Sequence, residues 1–196
     1  MPMSSYHTQL QNRAKSIKVI FMEENVILVN ENDNEIGQAE KMAAHKEGKL
    51  HRAFSIFVFN DKKELMLQKR EQHKYHSGGL WTNTCCSHPR PGEDLMDAAH
   101  RRLQEEMGFG CELKEIFHFT YSAQFEGLSE YEVDHVMFGR YNDKPKLNSE
   151  EAEDWKWINL DDLNNDIEKN PDNYTVWFKI AMEEINKHIR GGSIEI

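Results

Sequence analysis

SHPRPGEDLMDAAHRRLQEEMGF, residues 87–109, is the stretch that decides the fold. An apolar residue recurs at every fourth position, which predicts a helix with one apolar face. These residues are Leu95, Ala99, Leu103 and Met107. Asp94 can cap the first turn, and Gly108 can end the last one. We therefore expect a helix over 94–107.

Strand patterns surround this helix on both sides. Short apolar or alternating runs predict strands at 26–29, 35–39, 53–59, 64–69, 113–125, 130–141 and 155–158. Further helices are expected at 160–169 and 172–189. Strands outnumber helices, are expected to pair mostly with their chain neighbours, and show no internal repeat. The pattern favours a single domain of the α/β or α+β class, with a mixed sheet packed against helices.

Composition and charge limit the kinds of partner. The 196 residues suit one domain with a substantial core, and 38% of them are hydrophobic. The net charge of −10 repels phosphate backbones, so we expect no nucleic-acid partner. A small anionic ligand stays possible, because a basic patch or a bound cation reverses the local field.

Cysteine usage and the first residues of the chain indicate a cytoplasmic protein. Cys85, Cys86 and Cys111 are odd in number, and two are adjacent, which does not suit a disulfide framework. The apolar runs are too short to cross a bilayer, so no membrane association is expected. Residues 1–22 are polar and lack the apolar centre of a signal peptide. We interpret 1–22 as an N-terminal extension of a domain over 23–196.

The charges of the helix at 94–107 allow two interpretations. Arg101 with Glu105, and Arg102 with Glu106, are four residues apart and can form salt bridges on a solvated face. Alternatively, the glutamates serve a divalent cation, because Mg²⁺ prefers carboxylate oxygens and keeps several waters. A helix rich in glutamate can then hold several ions and activate water for hydrolysis.

Residues 87–109 resemble the Nudix box, which reads Gly, five residues, Glu, seven residues, then Arg-Glu-apolar-x-Glu-Glu-x-Gly-apolar. The positions in register are Glu93, Arg101, Leu103, Glu105, Glu106, Gly108 and Phe109. Ser87 replaces the first glycine, and Arg102 replaces a glutamate. The resemblance implies a Nudix-like mixed β-sheet sandwiched between helices. Because Arg102 removes an anionic ligand and adds positive charge, we expect Glu106 to hold a single Mg²⁺ and hydrolysis to be lost.

Three further pairs of residues suit metal binding or proton transfer. They are Cys86 with His88, Glu130 with Glu132, and His45 with His51. Members of the first two pairs are two residues apart and share one side of an extended segment. Three histidines and two glutamates could fill an octahedral site, and this mixed donor set favours a transition metal. The alternatives are hydrogen-bonded or exposed histidines, an acidic strand face and inert thiols, the last being our expectation for Cys85.

Taken together, these segments resemble the type I isopentenyl-diphosphate isomerases, the flavin-independent isomerases of the Nudix superfamily. The active-site segment of that family is similar to Thr82-Asn83-Thr84-Cys85-Cys86-Ser87-His88-Pro89. Its Lys-x-Ala-Ala-His, Glu-x-Glu and Trp-Phe-Lys motifs match 41–45, 130–132 and 177–179, in the same order. The resemblance implies an isomerase that interconverts isopentenyl diphosphate and dimethylallyl diphosphate in isoprenoid precursor biosynthesis.

The resemblance also implies a role for individual residues in the reaction. A proton is added to the terminal alkene carbon, a tertiary carbocation forms, and a proton leaves from the opposite face. Cys86 and Glu132 are implied as the two proton-handling groups, with Tyr121 beside the carboxylate. Trp177 would stabilise the carbocation, because an aromatic face attracts a cation.

Two metal ions and a basic patch are implied as well. The first ion, Mn²⁺, Zn²⁺ or Mg²⁺, would be bound by His45, His51, His88, Glu130 and Glu132. The second ion, a Mg²⁺ reached mainly through Glu106, would bridge the substrate diphosphate. The residues implied to contact that diphosphate are Lys41, Arg70, Lys74 and Arg102.

Three alternative functions fit the sequence less well than an isomerase of this type. A Nudix pyrophosphohydrolase of nucleoside-diphosphate conjugates would need the full acidic box, which Arg102 interrupts. A non-catalytic metal-binding module would leave the pairing of Cys86 with Glu132 unexplained. The unrelated flavin-dependent isomerase is not favoured, because 196 residues are short for a (β/α)₈ barrel. We expect the isomerase to be a monomer or a weak homodimer.

Overall fold

A computed structural model describes residues 24–74, 76–125 and 127–192. Within these ranges, one mixed sheet contains β1 (Asn25–Val29), β2 (Glu35–Glu40), β3 (His51–Phe59), β4 (Leu65–Arg70), β5 (Trp81–Thr82), β6 (Cys85–Ser87), β7 (Leu113–Phe125), β8 (Leu128–Arg140) and β9 (Ala152–Ile158). The helices are α1 (Lys41–Glu47), α2 (Leu95–Met107), α3 (Leu160–Lys169) and α4 (Val176–Arg190). The predicted extension over 1–22 lies outside the described residues, and the domain bounds stay a prediction.

β3 is the central strand of the sheet, and nearly all of its residues are buried. It pairs in parallel with β8 along its whole length, from His51 opposite Glu132 to Phe59 opposite Arg140. Its other edge meets β1, β6 and β4 in turn. The expectation that strands pair mostly with chain neighbours is therefore only partly right. β4 touches β3 at a single residue pair and runs instead along β9.

Alternation along β3 divides the core into two parts, because successive side chains of a strand point to opposite faces. Phe54, Ile56 and Val58 pack into the core beneath α2. Phe57 and Phe59 pack into the core beneath α3 and α4. Each such side chain contributes roughly 1.5–3 kcal/mol by leaving water. The sheet is thus sandwiched between helices, which confirms the predicted fold class.

The long helix α2 begins and ends where the sequence predicts. The Asp94 carboxylate accepts hydrogen bonds from the backbone N–H groups of Met96 and Asp97, at 2.8 and 3.3 Å. Gly108 ends the helix in the left-handed conformation, with φ 71°. A side chain there would also collide with the backbone oxygen of Lys146, so glycine is required on both counts.

Other elements differ from expectation. Helix α1 was not predicted; it begins after Glu40, whose carboxylate accepts from Met42 and Ala43, and it is too short to show periodicity. Helix α4 begins at Val176 and not at 172, because a 3₁₀ turn at Pro171–Asn173 precedes it. None of the described helices has the length and apolar character needed to span a bilayer.

Candidate active site

Four buried side chains from four separate segments converge at one point. His45 lies on α1, His51 begins β3, His88 follows β6, and Glu132 lies on β8. The Nε2 atoms of the three histidines lie 3.8, 3.3 and 3.0 Å from Oε1 of Glu132. The parallel register of β3 and β8 sets His51 directly beside Glu132. We call these four residues the histidine group.

Backbone contacts fix the tautomers of two of these histidines. Nδ1 of His45 donates to the carbonyl oxygen of Lys41, and Nδ1 of His51 donates to that of Lys49, both at 2.7 Å. In the neutral rings Nε2 is therefore unprotonated, and among the described residues neither Nε2 has a hydrogen-bond partner. Lone pairs that face a carboxylate oxygen repel it unless a cation lies between them. The histidine group therefore fits a divalent metal ion, with backbone carbonyls orienting the ligands.

Burial and hydrogen bonding set the protonation of this group. Burial opposes ionisation of Glu132, but the favourable interactions of its carboxylate with His51 and His88 outweigh this effect and lower the pKa of Glu132 well below its ordinary value. Burial lowers the pKa of His88 to about 4. For His51 the effect of burial is overcome by Glu132, and the pKa rises. A neutral His88 and an ionised Glu132 are the states that a metal ligand needs.

Glu130 differs from the other predicted ligands. It lies on the same face of β8 as Glu132, two residues earlier, yet it is not one of the four residues whose ligand atoms lie within 4.8 Å of one another. The Tyr121 hydroxyl lies 2.9 Å from Glu130 Oε2 and 2.7 Å from Glu132 Oε2. Burial and the charge of Glu132 raise the pKa of Glu130 well above its ordinary value. Its role as a ligand stays a prediction.

The predicted proton-handling residues line one pocket, whose volume is about 650 Å³ including its open mouth. Cys86 and Glu132 both line it. Cys86 packs against the core beneath α4, whereas Cys85, its neighbour on β6, is fully buried in the core beneath α2. Burial raises the pKa of Cys86 to about 12, so the thiol keeps its proton at neutral pH.

Trp177 forms an aromatic part of the pocket wall. It lies in the first turn of α4 and is 4% exposed, and its Nε1 donates to Thr82 Oγ1 at 3.0 Å. The Arg70 guanidinium carbon lies 5.1 Å from the centre of its ring. The His76 ring meets it edge-on, with centroids 5.5 Å apart. Trp177 is therefore both a core residue and a lining residue of the pocket.

The four residues predicted to contact a diphosphate line the same pocket. They are Lys41, Arg70, Lys74 and Arg102. The Arg102 guanidinium lies 2.5 Å from Glu106 Oε1 and 3.0 Å from Glu151 Oε1, and Lys74 also pairs with Glu151. Glu106 is 4% exposed, and Gln68 donates to its other oxygen at 3.0 Å.

Both predicted salt bridges of α2 form, but in different surroundings. Arg101 lies 3.2 Å from Glu105, whose side chain is 40% exposed, as expected for a solvated face. The pair of Arg102 with Glu106 lies instead at the buried edge of the pocket. The interpretation of α2 as a solvated face is therefore right for the first pair and wrong for the second, because α2 turns Glu106 toward the sheet.

Several residues that line the pocket were not predicted. Ser55 donates to Asp134 at 2.9 Å, and burial together with the charge of Glu132 raises the pKa of Asp134 to about 8. A polar residue inside an apolar strand, as at Ser55, is a sequence signal that could have found this pair. His76 and Glu151 come from loops, where no periodic pattern marks them.

Comparisons with known proteins identify the family of this chain. The family model described as NUDIX domain matches residues 49–178. Isopentenyl-diphosphate Delta-isomerase 2 of Aromatoleum aromaticum is 56% identical over 165 residues, which are 84% of this chain and 87% of that protein. Isopentenyl-diphosphate Delta-isomerase of Serratia proteamaculans is 48% identical, over 84% of this chain and 92% of that protein.

Solved structures share the fold at much lower identity. The DR0079 structure from Deinococcus radiodurans has a TM-score of 0.64 at 20% identity and covers 75% of this chain and 90% of that one. The MutT protein of Methanosarcina mazei has a TM-score of 0.59 at 16% identity and covers 71% and 94%. These similarities show the fold alone, whereas the isomerase relatives at 56% and 48% identity show the family. The chain belongs to the isopentenyl-diphosphate Delta-isomerase family of NUDIX-domain proteins.

Proposed function

We propose that this protein interconverts isopentenyl diphosphate and dimethylallyl diphosphate in isoprenoid precursor biosynthesis. A single observation carries the proposal: one pocket combines the protonated thiol of Cys86, the carboxylate of Glu132 and four basic side chains. An allylic proton shift needs one group that gives a proton and another that takes one. The curated relatives named isopentenyl-diphosphate Delta-isomerase support the same reaction.

Cys86 and Glu132 act as the two proton-handling groups. One adds a proton to the terminal alkene carbon, and the other removes a proton from C2 of the resulting tertiary carbocation. Since one proton is added and one is removed in each turnover, the substrate gains or loses no net proton. The two groups exchange roles in the reverse direction. The Tyr121 hydroxyl, 2.7 Å from Glu132, assists transfer at that carboxylate.

Trp177 stabilises the carbocation between the two proton transfers. A carbocation cannot be hydrogen-bonded, but an aromatic face stabilises a desolvated cation by about 2 kcal/mol or more. The hydrogen bond from Trp177 to Thr82 holds the indole in place. The buried position of the ring also keeps water from quenching the cation.

The four basic residues that line the pocket bind the diphosphate. Lys41, Arg70, Lys74 and Arg102 supply the positive charge. Glu106 would hold a Mg²⁺ that supplies further positive charge for the diphosphate, since carboxylate oxygen is the donor that this ion prefers. The histidine group would hold Mn²⁺, Zn²⁺ or Mg²⁺, and its nitrogen donors favour a transition metal. When bound, that ion supplies positive charge that controls the protonation of Glu132.

The hydrolase alternative is not favoured. A water-activating site needs several carboxylates free to bind cations. Here Arg102 pairs with both Glu106 and Glu151 inside the pocket, and its charge opposes a cluster of Mg²⁺ ions. We also propose that the protein acts in the cytoplasm, which its free cysteines support. We further propose that it is a monomer or a weak homodimer.

The decisive experiment follows deuterium from solvent into the substrate. Purified protein is incubated with Mg²⁺ and isopentenyl diphosphate in deuterated water, and the product is read by NMR. We expect label at the new methyl group and at C2. Absence of label at both positions contradicts the proposal. Release of phosphate or nucleotide from nucleoside-diphosphate conjugates would instead support the hydrolase.

A further inference from the structure

A second cluster of metal-ligand side chains lies outside the active-site pocket. Glu115 and His118 lie on β7 and His135 lies on β8, and their ligand atoms all lie within 4.8 Å of one another. His118 and His135 are direct cross-strand partners, and their ring centroids are 5.2 Å apart. His135 faces the side of β8 opposite to Glu132, because the two residues are three positions apart on the strand.

An irregularity in β7 makes this cluster possible. Residues 115 and 118 are three positions apart and would point to opposite faces of a regular strand. The pairing with β8 shifts between Glu115 and Phe117, so that Ile116 is an extra residue. A bulge of this kind re-aims side chains. As a result His118 Nδ1 lies 3.9 Å from Glu115 Oε1.

His135 is held in the orientation of a metal ligand. Its Nε2 lies 3.1 Å from Asp33 Oδ2, and Asp33 is itself fixed by Arg52 at 2.8 Å. When Nε2–H donates to Asp33, the lone pair of Nδ1 in the neutral ring faces Glu115 Oε1 at 2.8 Å. Two acceptors this close need a proton or a cation between them. In known metal sites, a histidine that binds the ion through one ring nitrogen often donates its other ring N–H to a carboxylate, as His135 does here to Asp33.

We infer that Glu115, His118 and His135 bind a divalent transition-metal ion at a second site, separate from the histidine group. Two imidazole nitrogens and one carboxylate oxygen suit Zn²⁺, Ni²⁺, Co²⁺ or Cu²⁺ better than Mg²⁺. The His118 side chain is 58% exposed and that of Glu115 is 39% exposed. A small rotation of these side chains brings their donors to the ligand distances of about 2.0–2.2 Å, and solvent completes the coordination.

The test counts Ni²⁺ bound per chain in excess Mg²⁺, by equilibrium dialysis and elemental analysis. His118→Ala removes one ligand, and His100→Ala removes an exposed histidine of α2 as the matched control. We expect the wild type and His100→Ala to bind one more Ni²⁺ than His118→Ala. Equal binding by all three overturns the inference. Equal melting temperatures without metal show that the variants are folded.

Asp33→Asn separately tests whether the Asp33 carboxylate orients His135 for metal binding. Asp33 has φ 57°, a conformation that asparagine tolerates, so the turn is preserved while the carboxylate is lost. We expect Ni²⁺ affinity at the second site to fall about 10- to 100-fold. An unchanged affinity shows that Asp33 does not orient His135 for a metal and counts against the inference.

Discussion

Cys85 and Cys86 are identical side chains on one short strand with opposite surroundings. Cys86 lines the pocket, and Cys85 is fully buried under α2. We predict that Cys86→Ala abolishes turnover, whereas Cys85→Ala keeps most of it and lowers the free energy of unfolding by about 1 kcal/mol. An isomerisation assay and urea unfolding measure the two effects. Equal activity of the two variants would show that the choice of thiol is wrong.

Tyr121 connects the two buried carboxylates of β8 through one hydroxyl. Tyr121→Phe keeps the ring in the core but removes that hydroxyl, so we predict a fall in kcat of about 100-fold with little change in melting temperature. Tyr141→Phe is the matched control, because its ring stacks on Phe109 away from the pocket. An unchanged kcat would exclude the Tyr121 hydroxyl from proton transfer.

Residues of the site differ in how far the sequence could predict them. The histidine group was assembled from family motifs, since nothing in the spacing of His45 and His51 reveals that Glu132 lies beside them. That contact arises from parallel pairing of β3 with β8, which no local pattern encodes. His76 and Glu151 were missed, because loop residues reach the pocket through tertiary structure alone.

At the scale of elements, length decides what a pattern can predict. Helix α2 has several turns, a capping aspartate and a terminal glycine, and its bounds were predicted almost to the residue. Helix α1 and strands β5 and β6 are too short to show a period. β6 exists because Phe54 pairs with Ser87 and Ile56 with Cys85 on β3, a distant contact.

The segment before α2 is joined to the helix by an ion pair that gives a test in acid. Glu93 accepts two hydrogen bonds from Arg101, at 2.6 and 2.8 Å. These bonds lower the pKa of Glu93 to about 2 from 4.5. Because the folded pKa is depressed, the pair stabilises the fold above pH 4.5, and this contribution is lost as the pH falls toward 2.

We therefore predict that Glu93→Gln lowers the free energy of unfolding by about 1 kcal/mol at neutral pH. The difference from wild type should shrink as the pH falls below 4.5. Urea unfolding across this range measures it. Glu105→Gln, on the exposed part of α2, is the control and should cost about 0.5 kcal/mol or less. A difference that is independent of pH would contradict the assignment.

At the scale of the whole molecule, the histidine group is formed by segments that are far apart in the sequence. Its members come from α1, β3, the segment after β6, and β8. A bound ion stabilises only the folded state. The stabilisation is about 2.7 kcal/mol when the free ion concentration is a hundred times its Kd. We predict that chelation lowers the melting temperature by about 5–10 °C. Calorimetry with and without chelator measures this shift.

The second cluster on β7 and β8 supplies the control for that measurement. His118→Ala removes one of its ligands and leaves the histidine group intact. The shift in melting temperature should therefore persist in this variant. If chelation has no effect on wild type, the histidine group does not hold an ion that matters for stability.

The parallel alignment of β3 with β8 also has a consequence for biosynthesis. Ser55 and Asp134, hydrogen-bonded partners across these strands, are separated by 79 positions in the chain. The central strand therefore gains its full-length neighbour only after β8 has been synthesised. Contacts this remote in the sequence slow folding. A nascent chain halted before β8 should bind neither ion nor substrate, because Glu132 is still missing.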